Sequence, residues 1–139
     1  MRIEKSVLIN TTPDKVWKVF TNPLITRKLG GIYKTDWNPG SFFGWQNLSG
    51  TQITYGRLLD YRPGEYLKHE LFTGKDMQEL SSVISYTTMF KHDHTILHAT
   101  EELLEELTDA EFGDAVSGWE AALQELKKVA ESPSDLKIK

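Results

Sequence analysis

The chain has 139 residues, with 16 Lys and Arg against 20 Asp and Glu, four Trp, five Tyr, six Phe and no Cys. A chain of this length buries roughly two thirds of its unfolded surface, enough for one hydrophobic core without staples. The acidic balance, with no basic stripe, excludes a nucleic-acid binder; the missing cysteines exclude disulfide frameworks, thiolate nucleophiles and Cys-based metal sites; and 26% charged residues with a mean hydropathy of −0.42 exclude a disordered or membrane-inserted chain.

The N-terminus, Met1-Arg2-Ile3-Glu4-Lys5, lacks the apolar core of a signal peptide. A cytoplasmic protein is therefore expected. Residues 2–10 partly alternate, with Ile3, Val7 and Ile9 on one side, and read as a strand. Thr12-Pro13-Asp14 then opens a helix: Thr12 caps, Pro13 suits the first helical position, and Asp14 favours the positive dipole end. Asn22-Pro23 repeats that grammar for a short helix over residues 24–29, which Gly30-Gly31 ends. Residues 32–37, 41–46, 53–61 and 65–72 are aromatic and β-branched runs that read as strands. Asn38-Pro39-Gly40, Ser49-Gly50 and Arg62-Pro63-Gly64-Glu65 separate them, the last suiting a type II turn. A polar loop over residues 73–80 leads to a hairpin of strands 81–90 and 95–103 around Lys91-His92-Asp93-His94. Thr108-Asp109-Ala110-Glu111 is a capping box. After it Phe112, Ala115, Val116, Trp119, Ala122, Leu123, Leu126 and Val129 recur at helical spacing up to Ser132-Pro133. Strand, two short helices, six strands and one long helix make an α+β layer fold.

That order, with the residues filling it, resembles the START-like (SRPBCC) superfamily with its helix-grip fold. Within it, the chain is similar to the activator of heat-shock-protein-90 ATPase homologue family. The matching stretches are Thr12-Pro13-Asp14-Lys15-Val16-Trp17, Trp37-Asn38-Pro39-Gly40-Ser41-Phe42-Phe43, Tyr55-Gly56-Arg57-Leu58-Leu59, Arg62-Pro63-Gly64-Glu65-Tyr66-Leu67 and Gly118-Trp119. Residues 132–139, from Ser132-Pro133-Ser134 onward, read as a flexible tail. The resemblance spans about residues 2–131 and implies a domain over residues 1–131. It implies a curved antiparallel sheet of about seven strands wrapped around the C-terminal helix. It also implies an apolar cavity between them for a small hydrophobic ligand, such as a lipid, a polyketide or another aromatic molecule, without cofactor or metal. A co-chaperone-type interaction module and a polyketide cyclase-like enzyme are the alternatives it carries.

Period-2 alternation, aligned to the family pattern, sorts the strands by face. It turns Phe43, Trp45 and Tyr55 inward, followed by Leu67, His69 and Leu71. Ile84, Tyr86, Thr88 and Phe90 come next, then Leu97, Ala99 and Glu101. Phe112, Val116, Trp119 and Leu123 of the last helix face them. All but Thr88, Phe90 and Ala99 form the expected ligand-binding set. His69 and Glu101 are polar at apolar positions. With Tyr86 they either orient a ligand's polar group or form a satisfied core pair through a His69–Glu101 or Tyr86–Glu101 contact. Gly118, inside a helix, implies close approach of the sheet or a ligand, or simply close packing.

His92, His94 and His98 do not make a metal site. The first two fall in a turn, and His94 and His98 are roughly 13 Å apart along a strand, too far for imidazoles that share a zinc at about 2 Å. The sequence carries no phosphate-binding glycine loop, nucleotide fingerprint or nucleophile elbow. The acidic run from Glu101 to Glu111 reads as a solvated edge, or as a dock for a basic protein partner.

Overall fold

The computed structural model describes residues 1–133. The first strand, β1 (Arg2–Ile9), leads into α1 (Pro13–Thr21), whose start is capped by the Thr12 hydroxyl. The second short helix is only one α-turn, α2 (Pro23–Thr26), continued as a 3-10 turn over Arg27–Leu29 and closed by Gly30 in the left-handed region. Six strands follow: β2 (Gly31–Thr35), β3 (Phe43–Asn47), β4 (Tyr55–Arg62), β5 (Tyr66–Thr73), β6 (Glu79–Lys91) and β7 (His94–Leu103). The long helix α3 spans Asp109–Glu131 behind the capping box formed by Thr108 and Glu111.

The seven strands form two ladders. Five make an antiparallel sheet in the order β1-β7-β6-β5-β4, and β2 pairs with β3 alone. A single bridge, Phe42 to Arg57, ties the small ladder to the edge of the large one. Turn chemistry sets the hairpins. Gly64 takes a φ of 79° between β4 and β5, and the Glu65 amide closes the turn on the Arg62 carbonyl at 2.9 Å. His92 and Asp93 both have positive φ at the β6–β7 tip, the geometry that matches the twist of a two-residue hairpin.

One face of the large sheet is covered by helices. Val16, Trp17, Val19 and Phe20 of α1 are buried, as are Leu123, Leu126 and Ala130 of α3. The core they close contains Ile9, Phe43, Leu58, Leu67 and Leu97. The last helix is held along β1 by polar contacts. Lys5 pairs with Glu120 at 3.0 Å, the Lys127 ammonium donates to the Leu8 carbonyl at 2.8 Å, and the Asn10 amide donates to Glu131 at 2.7 Å. This is the helix-grip arrangement expected. Of the tail expected at residues 132–139, residues 134–139 lie outside the described residues.

Candidate functional site

The grip leaves a space where α3 parts from the small ladder. It is a cavity of about 400 Å³ between α3, β2, β3 and the middle of β6. Its walls are Tyr33, Trp45, Tyr86 and Trp119 with Leu29, Leu123 and Leu126; Ala121, Ala122 and Glu125 form the helical rim. The small side chains on α3 keep the rim low, and the aromatic walls are braced from behind. Tyr33 meets Trp45 edge-on at 4.9 Å and stacks on Phe43 at 5.1 Å. Tyr86 is wedged between Phe20 at 4.9 Å and Trp119 at 5.9 Å.

Polar atoms in this region are paired. The Tyr33 and Tyr86 hydroxyls are neighbours and influence each other's ionisation. Burial pushes the Tyr33 phenol up to about 12. Tyr86 is raised well above its ordinary value, first by burial, then by Tyr33 and by the charge of Glu101. Both stay neutral in any physiological range. Glu101, half-buried on β7, accepts the Trp119 indole N–H at 2.9 Å and the hydroxyl of fully buried Ser82 at 2.7 Å.

A second hollow, of about 290 Å³, lies between α1, α2 and the end of α3, with Lys15, Lys18 and Lys28 around Val19, Ile25 and Val129. It sits where the chain passes Pro133 into the undescribed residues. The aromatic cavity, walled by both sheet and helix, is the better candidate site.

Residues 10–131 match the family described as "Activator of Hsp90 ATPase homolog 1-like protein". The chain belongs to that family. Comparison with curated protein sequences gave no match. Among solved structures, protein MLL2253 from Mesorhizobium loti is similar with a TM-score of 0.77 and 18% identity, covering 93% of this chain and 96% of that one. The Aha1 dimer from Colwellia psychrerythraea gives 0.74 and 16%, covering 94% and 96%. DynU16, a protein in the dynemicin biosynthetic locus, gives 0.79 and 15%, covering 94% of this chain and 47% of that one. At these identities the likenesses establish the fold.

Within this homolog 1-like domain, four of the expected residues wall the cavity: Trp45, Tyr86, Trp119 and Leu123. Glu101 stands behind Trp119. Phe43, Leu67, Ile84 and Leu97 are buried as packing, and Leu71 is half-buried against the same core. Phe112 and Val116, half-buried in the first turns of α3, fall outside the cavity lining.

Several expectations need correction. Tyr55 faces the other side of the sheet: it pairs with Phe72, and Gly56 and Leu58 are the β4 residues that share the helix-covered face with Leu71 and His69. A one-residue difference in register inverts a strand. Phe90 is 51% exposed, because α1 covers that face only as far as Thr88, whose hydroxyl accepts the Trp17 indole N–H at 3.0 Å. His69 and Glu101 do not meet. Each pairs with Ile84 from opposite sides of β6, so two strand spacings, roughly 10 Å, separate them. His69 instead stacks on Phe43 at 4.3 Å and donates from Nδ1 to the Glu70 carbonyl at 3.1 Å; burial pushes its imidazole down to about 4. Gly118 has open space where a Cβ would stand, so nothing packs closely on it.

Tyr33, Leu29, Leu126, Ala121, Ala122 and Glu125 were not anticipated. Leu126 and Ala122 were legible as part of the apolar face of α3. Tyr33 carried the same alternation as its neighbours on β2, but its face depends on how the small ladder folds over the sheet. On the solvent face, His98 links the Ser6 hydroxyl at 2.6 Å and Glu4 at 3.1 Å in a polar cross-strand ladder. Among the described residues no cluster of His, Asp or Glu is spaced to hold a metal ion, and no helix is long and apolar enough to cross a membrane.

Proposed function

We propose that this domain binds a small hydrophobic molecule in the cavity between β2, β3, β6 and α3, without transforming it. The observation that carries the reading is the cavity itself: about 400 Å³ walled by four aromatic rings and three leucines. Ligand pockets run from about 300 to 1,000 Å³ and are mostly apolar with a few polar groups. This one lies at the lower end, which suits a compact aromatic or polyketide-sized body better than a two-chain lipid. The driving force is burial of apolar ligand surface, at about 25 cal/mol per Å². Membership of a START-like family and likeness to DynU16, a protein of a biosynthetic locus, support the same reading. Binding is favoured over cyclase chemistry because His69 is buried under Phe43 and does not line the cavity, and Glu101 is held by the Trp119 indole and the Ser82 hydroxyl. No cofactor or metal enters this proposal, and its setting is the cytoplasm.

The test fills the cavity. Ala122 is exposed on the rim, so Ala122→Trp adds an indole to the space without disturbing the buried core. Native mass spectrometry of protein purified from its own cells should show a retained small molecule in the wild type and none in the variant. A fluorescent hydrophobic dye, read by thermal shift, should behave likewise. Equal retention by both proteins would sink the proposed site; retention by neither, with no shift from a broad aromatic and lipid panel, would sink ligand binding altogether.

A further inference from the structure

We infer that the ligand this cavity is built for carries an organic cation, an ammonium group on a compact apolar body. The inference rests on the binding reading above and names its chemistry. Four rings, those of Tyr33, Trp45, Tyr86 and Trp119, stand around one space. The face of an aromatic ring is the negative end of its quadrupole and attracts a cation within about 6 Å of the centroid.

The charged side chain that lines this space is acidic, and Lys28 and Lys128 share a neighbouring hollow with it. Glu125 lines the rim, and Glu101 stands directly behind Trp119. Both hydrogen bonds to the Glu101 carboxylate come from neutral donors, the Trp119 indole and the Ser82 hydroxyl. Among the described residues neither Glu101 nor Glu125 has an ion-pair partner, and no Lys or Arg lines the cavity. Neutral donors satisfy the lone pairs of this half-buried carboxylate and bring no positive charge to it. An indole that donates to a carboxylate also gains electron density in its ring, which strengthens its face toward a cation. The field of Glu101 reaches the Tyr86 hydroxyl, where it disfavours a second negative charge. A neutral ligand gains nothing from this field, and an anionic ligand is repelled by it. The volume selects a free small amine over the headgroup of a two-chain lipid.

The experiment uses three probes with one body: 4-phenylbutylamine, 4-phenylbutan-1-ol and 4-phenylbutyrate. Their affinities are read from the indole N–H resonances of Trp45 and Trp119 in the folded protein. The amine should bind at least about tenfold tighter than the alcohol, with the carboxylate weakest. Glu101→Gln keeps an oxygen for the Trp119 indole and removes the charge, so the amine's advantage should shrink to about twofold while alcohol binding holds. Glu125→Gln, at the exposed rim, should reduce the same ratio and carries no folding risk. If the alcohol or the carboxylate matches the amine, this inference fails and cavity binding stands. If both variants keep the full advantage, the carboxylate origin fails in the same way. If no probe moves either resonance, the binding reading fails and takes this inference with it. Protein sedimented with phosphatidylcholine vesicles should remain in the supernatant; co-sedimentation would overturn the choice of a free amine.

Discussion

His69 shows how one position changes meaning with its surroundings. The alternation of β5 turns it inward, and an inward imidazole near a carboxylate reads as a polar site. In the fold it lies flat on Phe43 with a hydrogen bond to its neighbour's carbonyl, and burial keeps it neutral down to about pH 4. An unfolded His takes its proton near 6.5. Above that pH the side chain is neutral in both states and contributes no pH dependence. As pH falls from 6.5 toward 4, the unfolded state is protonated first, and the native state loses stability by about 3 kcal/mol over that window. His69→Phe removes this term while keeping the ring on Phe43. Urea midpoints at pH 7 and pH 4.5 should therefore lie closer together in the variant than in the wild type; an unchanged gap would mean that His69 titrates normally. The buried neutrality of His69 was not legible in the sequence, because it depends on which partners the sheet places across from it.

At the scale of elements, legibility followed the strength of local signals. The capping box of Thr108 and Glu111, the Pro-led start of α1 and the Pro63-Gly64 turn fall where the residues demand them. The faces of β5, β6 and β7 follow simple alternation in their central parts. The face of β4 does not, and Gly56 explains why. A Cβ at Gly56 would run into the Glu70 carbonyl and stand 2.9 Å from the Phe43 carbonyl, so the glycine takes the inward position that a large side chain was expected to hold. The ladder is also bulged between Leu58 and Asp60. The same scale carries a prediction about α3. Its C-terminal half is tied to β1 by Glu131, whose carboxyl is held below the usual carboxylate range by the Asn10 amide first and then by Lys127. That support is present above the ordinary carboxylate pKa and is lost as pH falls through the lowered value. Glu131→Ala should cost about 1 kcal/mol in chemical denaturation at pH 7, since it removes a charge-assisted bond from a backbone amide. A neutral result would mean that apolar packing alone holds the helix end.

At the scale of the whole molecule, the fold was legible and the cavity was not. Seven strands, two short helices and a terminal helix are all written in periodicity and turn chemistry. The cavity depends on how far the small β2–β3 ladder stands from α3, a distance set by the braces among Phe20, Tyr33, Phe43 and Trp45 rather than by any single motif. Tyr33 was missed for that reason, and Phe112 and Val116 were included for the same one.

The four tryptophans divide between two environments, which gives the protein a built-in optical reporter. Trp17 is fully enclosed and Trp37 packs against Phe43 and Tyr61, while Trp45 and Trp119 face the cavity. An occupant displaces solvent from the second pair alone, so their emission should shift to shorter wavelength while the first pair serves as an internal standard. The double substitution of Trp45 and Trp119 by Phe should leave a spectrum blind to the same occupant. Occupancy is then measurable without a label, in the protein as it stands.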